Sequence, residues 1–312
     1  MKNVRQLTTG ALLLAIYAAL LLLTTYMPII GVMTNLFLVL PFILFAYKND
    51  RKSMLVFFVA SILISLIVGT VLAIPVAMTF GLTGLVMGDF IRERKSREAI
   101  YFGSSIAFLL TLVVIYVISI VFLQLDFIEE AIGATKSSIE SSISIMESLG
   151  QTPDEKQMEE LLAGVEAGRF LKPTLFVIAS FLSVFFIQLV SFPIARRFQV
   201  EVPKWKPFRF LQLPKSILWI YLFSMIASIV LNPEEGSFTF MAIVNIAFLL
   251  QWLMVLQGLA FIYHLSYAKK FPKVVPIMVT IGVLLFPQLL YIVRILGIID
   301  LGFDLRKRIK DH

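Results

Sequence analysis

The sequence predicts an all-α fold, a polytopic bundle of about eight to ten membrane-spanning helices, and three observations lead there. Of 312 residues, 59% are hydrophobic and only 15% charged, whereas an ordinary globular domain carries about 25% charged residues. Most apolar residues fall in uncharged runs of roughly 20, enough for a helix to cross ~30 Å of hydrocarbon. The charges collect in the connections between those runs, and backbone inside lipid must satisfy its own hydrogen bonds, which a helix does locally.

The first run, Thr8 to Tyr26, is helix one. It exceeds the ~7–15 apolar residues of a signal peptide and lacks a small-residue cleavage site after it, so it is expected to remain as an anchor. Helix two runs from Val32 to Tyr47, is interrupted by Pro41, and stops at the charges of Lys48 to Lys52. Met54 to Asp89 is too long for one span; Gly69 and Pro75 divide it into helices three and four, a tight hairpin. Ile100 to Leu123 is helix five, Leu175 to Ile194 helix six, Ile217 to Leu231 helix seven and Phe238 to Tyr263 helix eight. The last run, Val274 to Phe303, is cut by Pro287 and contains Arg294 and Asp300; it reads as one span with a tail or, preferably, as a broken pair.

With the N-terminus inside, six connections and tails rich in Lys and Arg face the cytoplasm and hold 22 of the 27 basic residues. That is a positive-inside pattern, and an internal C-terminus demands an even number of crossings. Ten spans fit best, and eight with a re-entrant or interfacial C-terminal segment is the other even solution. The expected location is therefore the cell membrane, multi-pass, with both termini cytoplasmic. The net charge of +7 follows these loops, which suits a lipid surface and gives no footprint for nucleic acid.

An external segment separates helices five and six. It holds ten acidic residues, Asp126 to Glu166, and four basic ones. Ile128, Ile132, Ile139, Ile143 and Met146 recur with the spacing of an amphipathic helix ended by Gly150. Thr152, Pro153, Asp154 and Glu155 then form a capping box, and Met158, Leu161, Leu162 and Val165 repeat the stripe. The two helices form a hairpin that caps the bundle, docks another protein or joins a second copy. On the opposite side, residues 196–216 interleave Arg197, Lys204, Lys206 and Arg209 with Trp205, Phe208 and Phe210, an interfacial loop for lipid headgroups or a cytoplasmic partner. The domain reading is 1–195 with a hairpin inserted at 124–171, the basic loop 196–216, and additional helices with a basic tail at 217–312.

Chemistry is conspicuous by what is missing. Cysteine is absent and histidine occurs twice, so disulfides and thiolate sites are excluded, and no metal, cofactor or catalytic residue is expected. No Walker A, HExxH or GxSxG sequence occurs. Helices one to seven carry no ionisable side chain, although proton relays and membrane hydrolases require them. The chain is therefore read as no enzyme.

Small residues are more informative. Ala11, Ala15 and Ala19 stand four apart on helix one, and Gly84 and Gly88 on helix four, with Gly81 one turn earlier; such faces allow close approach of another helix, within the chain or from a partner. The order of Thr8 to Ala19 with its alanines, Pro28 and Gly31 at the first outer turn, a proline in helix two, and Gly81, Gly84, Gly88 and Asp89 before a basic loop resembles the substrate-binding S components of energy-coupling factor transporters. The whole chain looks closer still to the YybS-like family of Gram-positive membrane proteins, distantly related to that superfamily. The S-component resemblance covers roughly 1–195; the acidic hairpin and the helices after Ile194 depart from it.

What this resemblance implies is a six-helix core that captures a small-molecule solute and borrows a transmembrane coupling subunit with ATPases, which would meet Ala11, Ala15 and Ala19. The polar lining of a cavity must come from amides and hydroxyls within the spans. Candidates are Asn35, Thr79, Thr83, Gln188, Ser191 and Asn245, each of which can alternatively hold helices together. The competing functions are a membrane scaffold or regulator that recruits proteins through the hairpin and, third, a membrane enzyme.

Overall fold

The computed structural model describes residues 2–150 and 154–308, and among them every regular element is helical. The chain divides into two compact units, one of 1–130 and 175–205, the other of 131–174 and 206–312.

The first unit holds α1 (Lys2–Tyr26), α2 (Pro28–Asn35), α3 (Leu40–Lys48), α4 (Arg51–Gly69), α5 (Ile74–Arg92), α6 (Arg97–Leu123) and most of α9 (Lys172–Arg197). The second span is the broken α2–α3 pair. Its break lies at Leu36 to Val39, N-terminal to the expected Pro41, because Pro41 has no N–H to donate and sits in the first turn of α3. The intervening residues close three-residue hydrogen bonds instead, such as Phe37 N to Thr34 O and Leu40 N to Phe37 O. Gly69 ends α4, where an added Cβ would lie 2.6 Å from that of Ala73, so the tight α4–α5 hairpin fits no larger residue. Tyr17, Leu21, Phe42 and Phe57 fill one core. Their rings meet edge to face, Tyr17 to Phe42 at 5.1 Å and Phe42 to Phe57 at 5.4 Å, the geometry that ring quadrupoles prefer. The Tyr17 hydroxyl bonds Ser65 Oγ at 2.8 Å, tying α1 to α4. Outside this core lie large apolar side chains such as Val56, Ile67, Val121 and Phe122. So much exposed hydrocarbon suits lipid contact.

The second unit holds α7 (Phe127–Ser148), α8 (Glu155–Ala167), α10 (Lys215–Leu231), α11 (Phe238–Ala268), α12 (Val274–Leu285), α13 (Pro287–Phe303) and α14 (Leu305–Arg308). Both amphipathic helices form, with Ile132 buried and Ile139, Ile143, Met146, Met158, Leu162 and Val165 half-buried, whereas Leu161 of the expected stripe is exposed. Gly150, at φ +75°, follows α7. The cap residues Thr152 and Pro153 lie outside the described residues; Asp154 caps α8, accepting from Lys156 N at 3.0 Å. Lys136 pairs with Glu166 across the hairpin and holds that carboxyl below its ordinary pKa.

Among the described residues, seven helices, counting α2–α3 as one, are long and apolar enough to cross a membrane: α1, α2–α3, α4, α5, α6, α9 and α11. α10, with 17 residues, is at the lower limit. The break at Pro287 separates α12, with 12 residues, from α13, with 17. A 12-residue helix measures only ~18 Å, too short to cross alone. These lengths fit eight crossings with a broken C-terminal pair better than ten.

Glycines set the closest crossing in the second unit. A Cβ on Gly258 would lie 2.0 Å from Val293 O, and one on Gly297 2.0 Å from Met254 O, so α11 and α13 touch backbone to backbone. Small residues at such crossings let dispersion act over the greatest length, which matters in lipid, where apolar burial gives little drive.

Candidate solute-binding site

Five of the six proposed lining residues belong to the first unit, and Asn245 belongs to the second. The Asn245 amide is fully used there. Its Oδ1 accepts from Thr174 N at 2.9 Å and Thr174 Oγ1 at 2.7 Å, while Nδ2 donates to Phe170 O and Met241 O. A group with its bonding capacity filled ties elements together and leaves nothing for a ligand. Ser191 is similarly occupied: its hydroxyl donates to Leu36 O at 2.8 Å. That carbonyl lies at the α2–α3 break, where Leu40 N turns to Phe37 O instead.

The remaining residues converge. Gln188 Nε2 donates to Ser104 Oγ at 3.2 Å, joining α9 to α6. Thr83 stands one turn from Met87, Ser104 one turn from both Ile100 and Phe108, and Gln188 one turn from Val184 and Phe192; these five apolar neighbours belong to one core cluster. Thr83, Ser104 and Gln188 therefore point into the same interior. They also lie at one depth. Each is about seven to nine residues from the basic end of its helix, at Arg92, Arg97 or Arg197, which is roughly 10–14 Å at ~1.5 Å per residue.

Four buried side-chain oxygens of the first unit have no hydrogen-bond partner among the described residues, Asn35 Oδ1, Thr83 Oγ1, Ser105 Oγ and Gln188 Oε1; Thr83, Ser105 and Gln188 share this depth, whereas Asn35 stands 13 residues from the basic end of its span at Lys48. Thr79 is buried as well, at 4% exposure, one turn from Thr83. Unpaired buried polar atoms cost about 1–3 kcal/mol each, and a cluster of them on packed helices offers acceptors and hydroxyl donors with no fixed charge. That arrangement suits water or an uncharged solute with donors of its own. Ser105, next to Ser104, was not among the expected residues; it is one of several serines in α6, and nothing in local spacing distinguishes it.

The helix-one alanines face outward. Ala11, Ala15 and Ala19 are all exposed, and Ala11 and Ala15 line an open apolar groove of about 380 Å³ with Ile64, Ile67 and Val68 of α4. The glycines do not. A Cβ on Gly84 would lie 2.8 Å from Val39 O, and one on Gly88 2.6 Å from Ile43 O. Their face is taken by the α3 segment of the same chain, so an outside partner cannot use it.

The C-terminal run holds a network that spacing did not reveal. Asp300 is fully buried, and its Oδ2 accepts from Gln257 Nε2 at 2.6 Å and from Arg306 Nε at 2.9 Å. Gln257 Oε1 accepts from Leu213 N at 2.9 Å, and Arg306 Nη1 donates to Arg209 O at 3.0 Å. Arg294, equally distant in sequence on the other side of Asp300, instead lies 4.9 Å from the Tyr291 ring. Arg306 reaches back because Asp304 adopts φ +47° and reverses the chain.

Comparison with known proteins decides the family. The family model described as "Predicted membrane protein (DUF2232)" matches residues 15–301. The chain belongs to this family. Among curated relatives, a Bacillus subtilis (strain 168) protein named "Uncharacterized protein YybS" is 31% identical over 311 residues, covering 99% of this chain and all of the relative. The YybS-like resemblance thus extends over the full length. No solved structure matches. The match includes both units, so the family is defined by the C-terminal helices as much as by the N-terminal core.

Proposed function

We propose that this DUF2232 protein is a solute-binding subunit of a membrane transport system, built like an S component and energised by a separate partner. The observation that carries this reading is the set of unpaired buried oxygens on Thr83, Ser105 and Gln188, with Asn35 further along its span, inside a unit of membrane-length helices. Dedicated packing contacts would satisfy those atoms; a binding site keeps them for its ligand. The lack of fixed charge at this depth favours a neutral solute over an ion. No catalytic role is assigned to any residue.

The energising partner, a coupling subunit carrying ATPases, would lie along α1, where the exposed alanines leave room for a crossing helix. Both termini are placed in the cytoplasm on the distribution of Lys and Arg. Ala15→Leu adds bulk to this face alone. In a gentle pull-down from the native membrane, the unaltered chain should retain an ATPase complex and Ala15→Leu should lose it. Recovery of no ATPase with either chain would refute the reading.

The scaffold alternative has its own support in the hairpin, where Ile145, Leu149 and Leu161 are exposed. A scaffold would lose its partner on deletion of 126–169 and keep it in Ala15→Leu.

A further inference from the structure

We infer that the basic end of the first unit contains a pocket for a phosphate-bearing anion, the headgroup of an anionic phospholipid. This does not rest on the solute reading. Two stretches of chain wall the pocket: Arg92 at the end of α5 with Arg94 and Lys95 beyond it, and Glu201 with Pro203 after α9. Tyr47 and Ile91 complete a space of about 500 Å³.

The charges in it are unequally committed. Arg92 is held by Asp89 and by Asn49 O. Lys95 is only 3.6 Å from Glu93, with its side chain half exposed. Arg94, turned by a left-handed φ of +54°, has no ion-pair or hydrogen-bond partner among the described residues. Glu201 is the single carboxylate in the lining.

Arg97, two residues beyond Lys95, stands beside the pocket without lining it. It is 5% exposed, yet its Nε and Nη1 have no hydrogen-bond partner. Its guanidinium lies 4.0 Å from the Phe192 ring and 5.0 Å from the Trp205 ring. Trp205 is two residues beyond Pro203, so the Arg97–Trp205 contact joins the same two stretches that wall the pocket. Ring faces stabilise a cation only in part. Glu98 offers this guanidinium some favourable charge and Arg196 opposes it, but no carboxylate pairs with it directly among the described residues, and a buried cation so placed is costly unless an anion stands nearby. The pocket also stands at the ends of three spans, the level at which lipid phosphates lie. Several cations with a tyrosine hydroxyl around one space match the several oxygens of a phosphate better than a flat carboxylate.

The test uses the full chain in nanodiscs of equal phosphatidylglycerol and phosphatidylcholine, released for native mass spectrometry. Phosphatidylglycerol should stay bound in preference to phosphatidylcholine. Arg94→Ala with Lys95→Ala should lower its retention roughly 30-fold, since each cation beside an anionic lipid is worth about a factor of five. Glu201→Gln, which removes the one carboxylate of the lining, should raise it. Displacement by millimolar inorganic phosphate would support the anion pocket and make soluble phosphate its occupant; resistance to phosphate supports the lipid. Equal retention of the two lipids, or a double variant that binds phosphatidylglycerol like the parent, would overturn the inference.

Discussion

Arg306→Met should destabilise the second unit by ~3–5 kcal/mol, because it leaves the Asp300 carboxylate buried with only Gln257 as donor. The side chains of Asp300 and Arg306 are 0% and 10% exposed, so water cannot replace the lost partner without opening the packing. Removing both charges is a different change. Asp300→Asn combined with Arg306→Met leaves no ion in the interior and should recover more than half of the loss. Thermal and denaturant unfolding of the detergent-solubilised chain measures both. A single variant within about 1 kcal/mol of the parent would mean that the network contributes little to holding residues 209–213 and the C-terminal turn against α11 and α13.

Gly297→Leu should be at least as damaging. The added Cβ would begin 2.0 Å from Met254 O and 2.8 Å from Gly258 N, and backbone atoms have no rotamer by which to step aside. The helices must separate, and every contact along the α11–α13 crossing weakens together. Overpacking typically costs ~1–3 kcal/mol, and a backbone clash of this kind belongs above that range. Gly133→Ala is the control: nothing lies within 4 Å of a Cβ there, and replacing a helical glycine should stabilise α7 by about 0.5–1 kcal/mol. The same unfolding assay serves. If Gly297→Leu unfolds like the parent, α11 and α13 do not cross at these glycines.

These two sites were the least legible from sequence, and the reason is common to both. Gly258 and Gly297 are isolated glycines in long apolar helices, and what makes them necessary is a neighbour some forty residues away. Asp300 and Arg294 are six apart on one helix and do not face each other, and nothing in the spacing pointed to Arg306, which a left-handed turn at Asp304 delivers. Contacts made by chain reversal or helix crossing leave no periodic trace. Features set by local chemistry were readable: the apolar runs, the Gly69 hairpin, the break at Pro287 and most of the α7 and α8 stripes, Leu161 excepted. Pro41 was recognised as a breaker, but the break falls on the residues before it, where its missing N–H and ring act.

The candidate site was legible in composition and only partly in arrangement. Gln188 and Thr83 were identifiable as polar residues within apolar spans, and the structure brings them to one depth. Asn245 looked equivalent in sequence; it differs because Thr174 and Phe170 use its whole amide. Gly84 and Gly88 shared the spacing of the α1 alanines, yet α3 already occupies their face. Spacing tells that a helix surface permits close approach, but which helix comes is a property of the assembled bundle.

If, as proposed, this chain binds a solute and leaves the energy to another protein, the purified chain alone should not drive uptake. Reconstitution of the purified chain alone into sealed vesicles, with an imposed proton or sodium gradient and a panel of labelled small metabolites, tests it most directly. The account predicts that no compound accumulates against its gradient, because the polar layer of Thr83, Ser105 and Gln188 contains no group able to carry charge. Uptake that depends on the imposed gradient would contradict it.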